Sequence, residues 1–347
     1  MRAKVEDVAK RSGVSISTVS RVLNGNTRVN EISKQKVLAA AKELSYLPNQ
    51  AARSLVLKKS NIIGIIVPTM ENSFYSKLLA TIEDEADKEG YKIVVCCIQE
   101  NLDKEIKYVN LFRQMYVDGL IILHEKINPR CRKLLNSCEF PIVQASVLIK
   151  GLKNSISINV NDKKASCMLV NYLIENGHKK IAMITGNLVD QTSGKYRLEG
   201  YLQALKENHI EKNEDLIKPG KYTFDSGYET TKEILSRKDI PTAIFAACDE
   251  MAMGAASAAQ DLGYKVPDDI SIVGFDNIEL SRMYRPSITT IGQSTKTIGS
   301  LALKALLMDK DGDNNSIELN NKKYDIIDNK IEIPYIFIER NSVKKIK

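Results

Sequence analysis

The sequence predicts a small all-α module followed by an α/β core of two lobes, each built on a parallel sheet. Three observations predict it. Residues 5–44 carry three short apolar stripes at helical spacing, with a glycine between the first two. From residue 61 onward, short apolar runs rich in Ile and Val alternate with segments of helical period, as parallel strands covered by helices require. That alternation comes in two successive series, which implies two similar lobes.

Length and composition agree. A chain of 347 residues suggests two or three domains, and an apolar content of 43% fills real cores. No apolar run approaches the ~20 residues of a membrane span. The start, MRAKVEDVAK, lacks an apolar signal region, so export is not expected. None of the six cysteines lies in a C-x-x-C pair, and only three histidines are present. The expectation is buried, reduced thiols in a cytosolic protein, with no metal and no cofactor. Enzyme signatures are missing too. "TGNLVDQTSG" lacks the lysine of a phosphate-binding loop, and neither G-x-S-x-G nor H-E-x-x-H occurs.

Charge is unevenly placed. Residues 1–60 hold 12 Lys/Arg against 4 Asp/Glu, while the remaining 287 hold 38 against 39. A basic module on a neutral body is the electrostatic footprint of nucleic-acid binding, though a merely exposed basic segment has the same count.

The elements of the basic module follow in order. Val5, Val8 and Ala9 mark a first helix over 5–12. Gly13 supplies the turn and Ser15 the cap of a second helix, about 16–24, in which Val19, Val22 and Leu23 pack. A third, about 31–44, turns Val37, Ala40, Ala41 and Leu44 inward. Two short helices joined by a tight turn and braced by a third form a helix-turn-helix. The second helix is the candidate reader of DNA. Arg21 suits a bidentate contact to guanine, Ile16 a thymine methyl, and Ser17 a base or phosphate. Thr18 and Ser20 suit phosphate contacts or packing, and Asn24, where the helix ends, completes the DNA-binding set. Helix capping for the hydroxyls and a solvated face for Arg21 are the alternatives.

The stretch "VEDVAKRSGVSISTVSRVLN" resembles the signature of the lactose-repressor/galactose-repressor (LacI/GalR) family of bacterial transcription regulators. "KVLAAAKELSYLPNQAARSL" resembles the third helix and hinge that follow it. The resemblance implies a DNA-binding domain over 1–47 and a hinge over 48–60 that folds as a short helix when two copies meet on DNA. Ala52 and Leu55 are then minor-groove contacts, Leu55 as the wedge that kinks the duplex, with Arg53 near phosphate. A plain linker is the alternative.

The core, 61–347, resembles the periplasmic sugar-binding-protein fold. Strands are expected at 62–68, 91–97, 117–125, 141–146 and 155–160, then at 179–186, 242–249 and 270–276, with helices between them. "SITTIGQ" and "PYIFIERNS" add strands around a helix at about 294–308. The resemblance implies three crossings between lobes, near 161, 291 and 322. One lobe is then about 61–160 with 292–321, the other about 161–291 with 322–340.

In open α/β sheets ligands bind beyond the carboxyl ends of the strands. That places Phe74, Tyr75, Ser146, Asn161, Gln191, Ser193, Arg197, Tyr222, Asp249 and Asp276 around an interlobe cleft. The resemblance marks Arg197 and Asp276 as effector anchors, a pairing that suits a sugar-like or nucleoside-like ligand. A loop-capping role for Asp276, an interlobe salt bridge for Arg197 and an N-cap role for Asp249 are the alternatives. Cys248, Asn161 and Ser146 stand where relatives carry more polar or charged groups, so a less charged pocket is expected.

The resulting expectation is a cytoplasmic, nucleoid-associated bacterial repressor with no membrane partner. It binds a double-stranded, pseudo-palindromic operator as a homodimer or tetramer, under control of a small-molecule effector. The alternative is a catabolite-control regulator whose co-effector is a serine-phosphorylated carrier protein, with Arg285 in "FDNIELSRMYRPSITTI" meeting the phosphoserine.

Overall fold

The computed structural model describes residues 3–23, 29–46, 59–99, 101–308 and 315–346. The chain divides into two compact units, Met1–Ser60 and Asn61–Lys347. Among the described residues no helix is long and apolar enough to cross a membrane.

The first unit holds α1 (Val5–Ser12), α2 (Ile16–Leu23) and α3 (Glu31–Glu43). Gly13 ends α1 in the left-handed region, φ 71°, and its N–H donates to the Ala9 carbonyl. Ser15 Oγ accepts from the Thr18 N–H at 3.2 Å and so caps α2. Asn30 caps α3, accepting from the Ser33 N–H at 2.7 Å. Val8, Ala9, Val19, Val22, Val37 and Ala40 form the core.

In the second unit, one lobe carries β1 (Ile62–Val67), β2 (Lys92–Cys97), β3 (Gly119–Ile122), β4 (Ile142–Ala145) and β5 (Ser155–Asn159). Between them run α4 (Ser73–Lys88), α5 (Leu102–Gln114) and α6 (Pro129–Leu135). The other lobe carries β6 (Ile181–Thr185), β7 (Ile217–Pro219), β8 (Ala243–Ala246), β9 (Ser271–Asp276) and β10 (Thr289–Gln293). Its helices are α7 (Asp162–Glu175), α8 (Arg197–Glu207), α9 (Phe224–Leu235), α10 (Asp249–Asp261) and the short α11 (Glu279–Met283). Then α12 (Thr295–Leu307) returns to the first lobe, where a Cβ on Gly119 would meet Leu306. A hairpin of β11 (Ser316–Leu319) and β12 (Lys322–Asp325) follows, then β13 (Lys330–Glu332) and β14 (Tyr335–Ile338).

The sheet orders are β13-β5-β4-β3-β1-β2 and β14-β10-β9-β8-β6-β7. Pairing in both is parallel except for β14, which runs antiparallel to β10. Central strands such as β3 and β8 are buried on both faces, which is why they read as unbroken apolar runs. Asn72, Asn101, Asn128 and Asn161 start α4, α5, α6 and α7 by accepting backbone N–H groups, so each loop turns sharply at a strand's carboxyl end.

The third crossing corrects the expected boundary. Strand β13 pairs with β5, Lys330 opposite Ser157, so residues 322–332 stay with the first lobe. The chain crosses after Ile333, not near 322. Two tight turns conceal this in the sequence, Asn320-Asn321 and Asp328-Asn329, all four with positive φ.

Candidate functional site

Helix α2 presents a polar face built by its apolar one. Val19 and Val22 are buried, which turns Ser17, Ser20 and Arg21 outward and leaves Ile16 48% exposed. Thr18 is half-buried, its Oγ1 2.9 Å from Ser15 Oγ, so it serves the cap. Asn24, Ala52, Arg53 and Leu55 lie outside the described residues.

The floor of the interlobe cleft is a buried charge cluster. Arg197 opens α8 directly after a π-helical turn, Gln191–Tyr196. Its Nε donates to Asp162 at 2.9 Å, its Nη1 to the Ala247 carbonyl, and its Nη2 to Asp276 at 3.4 Å. The guanidinium stacks 3.6 Å above the Phe275 ring. Burial alone lowers the Arg197 pKa, but Asp276 and Asp162 outweigh it and hold the cation firmly protonated. Burial pushes Asp276 up to about 6, with Arg197 and Gln293 opposing.

Asp276 ends β9 with φ 106°, a strained conformation for a non-glycine residue. The following loop is pinned from behind. Asp249 accepts from the Ile278 N–H at 2.8 Å and from the Thr290 hydroxyl at 2.6 Å. Arg340 donates to Asn277, Ser281 and the Ile288 carbonyl. Gln293 Nε2 donates to Asp276 at 2.7 Å, while Ser146 donates to Gln293 Oε1 at 3.1 Å. Ser146 belongs to the first lobe and Asp276 to the second, so Gln293 relays between them.

The walls come from both lobes. Glu125, just beyond β3, accepts from Leu148 and, across the cleft, from the backbone N–H and hydroxyl of Thr192. Burial pushes its pKa up to about 7, and Asp190 adds to the rise. Tyr222 donates to Asp190 at 3.0 Å and pairs with Ser193 at 2.9 Å. A Cβ on Gly186 would lie 2.0 Å from the Tyr222 hydroxyl, so glycine makes room for that ring. Phe74 and Tyr75 meet edge to face at 5.7 Å. Burial and then Asp276, Asp190 and Glu125 raise the Tyr75 phenol. Toward one mouth, a cavity of about 660 Å³ is lined by Phe74, Asp276 and Gln293 among others, a size that fits small-ligand sites.

Comparison with known proteins agrees with both units. Residues 4–49 match the model "Bacterial regulatory proteins, lacI family", and residues 170–323 match "Periplasmic binding protein-like domain". Catabolite control protein A of Priestia megaterium is 37% identical over 306 residues, 88% of this chain and 92% of that one. The chain belongs to the lacI family. It is a DNA-binding transcriptional regulator. The HTH-type transcriptional repressor PurR of Mannheimia succiniciproducens is 35% identical, covering 92% of this chain and 96% of its own. The Lac repressor dimer bound to operator and the anti-inducer ONPF superposes with a TM-score of 0.84 at 29% identity, covering 99% of this chain and all of that one.

Within this lacI-family chain the cleft residues read from sequence divide into two sets. Phe74, Tyr75, Ser146, Ser193, Arg197, Tyr222 and Asp276 converge as described. Gln191 lies in the π-helical turn, its side-chain Nε2 buried without a hydrogen-bond partner. Asn161 instead caps α7 and donates to Glu332 at 3.1 Å. Asp249 is fully buried, and its oxygens serve Thr290 and Ile278; Cys248 holds the N-cap position. The Arg197 pairs lie within one lobe, not between lobes. Glu125 and Asp190, which the sequence reading did not name, add two carboxylates to the cleft. Glu125 was within reach of the strand-end rule, directly following β3. Gln293, the last residue of β10, was within its reach too, whereas Asp162 carried no local signal.

Proposed function

We propose that this chain is a repressor that binds a pseudo-palindromic operator as a homodimer and is switched by a small hydroxylated effector in the interlobe cleft. The observation that carries the reading is the buried Arg197–Asp276 pair, held by a strained strand end at the meeting point of two lobes. Such a cluster is preorganised for a ligand whose hydroxyls donate to and accept from it. A relay from Ser146 through Gln293 to Asp276 couples the two lobes, so occupancy alters their closure. The names of the PurR relatives support repression, and the operator-bound Lac repressor dimer supports two reading heads on two half-sites. Residues 48–60 serve as the hinge, with Leu55 as the groove wedge and Ala52 and Arg53 beside it.

The test is selection of operator duplexes from random DNA with the purified protein, followed by operator titrations against sugars, nucleosides and purines. One compound class shifts operator affinity, and Asp276→Ala abolishes that shift while operator binding persists. Absence of any sequence preference overturns the reading.

The similarity to catabolite control protein A favours a second reading, control by a serine-phosphorylated carrier protein. Against it, Arg285 Nη1 is engaged by the Arg282, Met283 and Tyr284 carbonyls at the end of α11. Operator titration with the phosphorylated and unphosphorylated carrier separates the two readings.

A further inference from the structure

Glu125 stands in the first lobe, but its carboxylate is held from both. Leu148 donates to it at 2.9 Å from its own lobe. From the second lobe come the Thr192 N–H, at 3.0 Å, and the Thr192 hydroxyl. These three donors are neutral, so the carboxylate keeps its charge uncompensated when ionised. The surrounding cleft is rich in acceptors. Glu125, Asp190 and Asp276 all bear on the Tyr75 phenol. Glu250 lies across from the start of α4, accepting from the Ser73 N–H at 3.1 Å.

Arg197, the cation at the floor, already has its charge matched by two carboxylates, Asp162 and Asp276. Nε, Nη1 and Nη2 are engaged by Asp162, Ala247 and Asp276 in turn. A phosphate ester brings up to two negative charges and, once ionised, only acceptors. In a poorly solvated cleft it meets like charges at close range, where repulsion is strong. A hydroxyl both donates and accepts, and so adds a donor to these carboxylates without adding charge.

We propose that Glu125 is the specificity-determining residue of this cleft, selecting neutral ligands that present hydroxyl donors and turning away phosphate esters. The proposal rests on the cleft being the effector site. Selection arises by repulsion as well as attraction, so removal of the charge alone relaxes it.

The experiment is calorimetric titration of the full chain at pH 8, where Glu125 is ionised, with ribose, glucose and guanosine, each against its monophosphate ester. In wild type the neutral member of the bound pair is the tighter by about tenfold or more. Glu125→Gln keeps an acceptor for Thr192 but removes the charge, and it narrows that gap by about tenfold. Thr192→Val removes a lobe-to-lobe donor and keeps the carboxylate; both members weaken together and the ratio holds. A tighter ester in wild type, abolished by Asp276→Ala, overturns the specificity and leaves the effector cleft standing. Parallel weakening of both members in Glu125→Gln also overturns it, since that is the behaviour of a purely structural tie. Failure of every compound to bind overturns the proposed specificity, while the operator titrations decide the effector reading separately.

Discussion

Arg197 and Asp162 form a buried ion pair, Nε to Oδ1 at 2.9 Å, with each side chain only 4% exposed. The pair joins the first residue of α8 to the first residue of α7, so it fixes how two helices enter the cleft. Removing the cation strands two carboxylates, Asp162 and Asp276, in a buried site. A buried pair broken from one side costs about 3–5 kcal/mol. Arg197→Met therefore destabilises the core by about that amount, measured by denaturant unfolding of the full chain followed through tyrosine fluorescence. Asp162→Asn loses less, because the amide oxygen still accepts from Nε. A loss below about 1 kcal/mol for Arg197→Met is the size of a surface pair and refutes the cluster as the anchor of the floor.

Asp249 makes the core's stability depend on pH in a defined direction. Burial and then Asp276 push its pKa from the ordinary 3.8 up to about 7. Between those values the folded state holds a proton that the unfolded state releases. The stabilisation is complete below about 4 and is lost as pH rises through 7. Asp249→Asn removes the titration while keeping an acceptor for the Ile278 N–H and a donor for Thr290. The melting temperature of wild type relative to Asp249→Asn thus falls between pH 5 and pH 8. The comparison cancels His124 and His178, whose depressed pKa values act in the opposite sense, His124 at about 4. A constant difference across that range excludes a protonated Asp249.

The fold was legible where burial is two-sided. "IIGIIV" and "AIFA" are β1 and β8, and no polar residue interrupts them because both faces are covered. The asparagine caps of α4 and α7 were not legible, and the sequence places Asn161 in the cleft instead. The hairpin of β11 and β12 and the strand β13 were not legible. "KKYD" and "KIE" bury one residue each, and β13 pairs with β5, which is about 170 residues away in the chain. The site was legible at the strand ends and hidden behind them. Arg197, Asp276 and Gln293 follow from position, whereas Asp162 matters through a partner on another element, which no local pattern reports.

Two glycines place α9 against α10. A Cβ on Gly254 would lie 2.0 Å from the Phe224 carbonyl oxygen, and one on Gly227 would lie 2.2 Å from the Met251 carbonyl oxygen. In both cases the obstacle is backbone, which cannot swing aside. Alanine at either position forces the helices apart and shifts α10, whose first residue is Asp249. Gly254→Ala therefore destabilises the core by about 1–3 kcal/mol or more. It also weakens effector binding, because the Asp276 loop rests on Asp249. Thermal unfolding and ligand titration measure the two effects, and an unchanged melting temperature refutes the close-packing argument.

Arg21 tests the reading head without touching its fold. Its side chain is exposed on α2 while Val19 and Val22 fill the core beneath, so truncation leaves the packing intact. A bidentate contact from arginine to guanine is worth about 1–3 kcal/mol of discrimination. Arg21→Ala is expected to lose about that much on the selected operator and to relax preference at one base pair in each half-site. Lys42, exposed on α3 and outside the candidate reading helix, is a control: Lys42→Ala removes one positive charge and is expected to leave the base preference unchanged. Binding of Arg21→Ala to a set of single-base operator variants separates these outcomes. An unchanged profile removes Arg21 from the reading surface and leaves Ser17 and Ile16 as the base contacts of the helix.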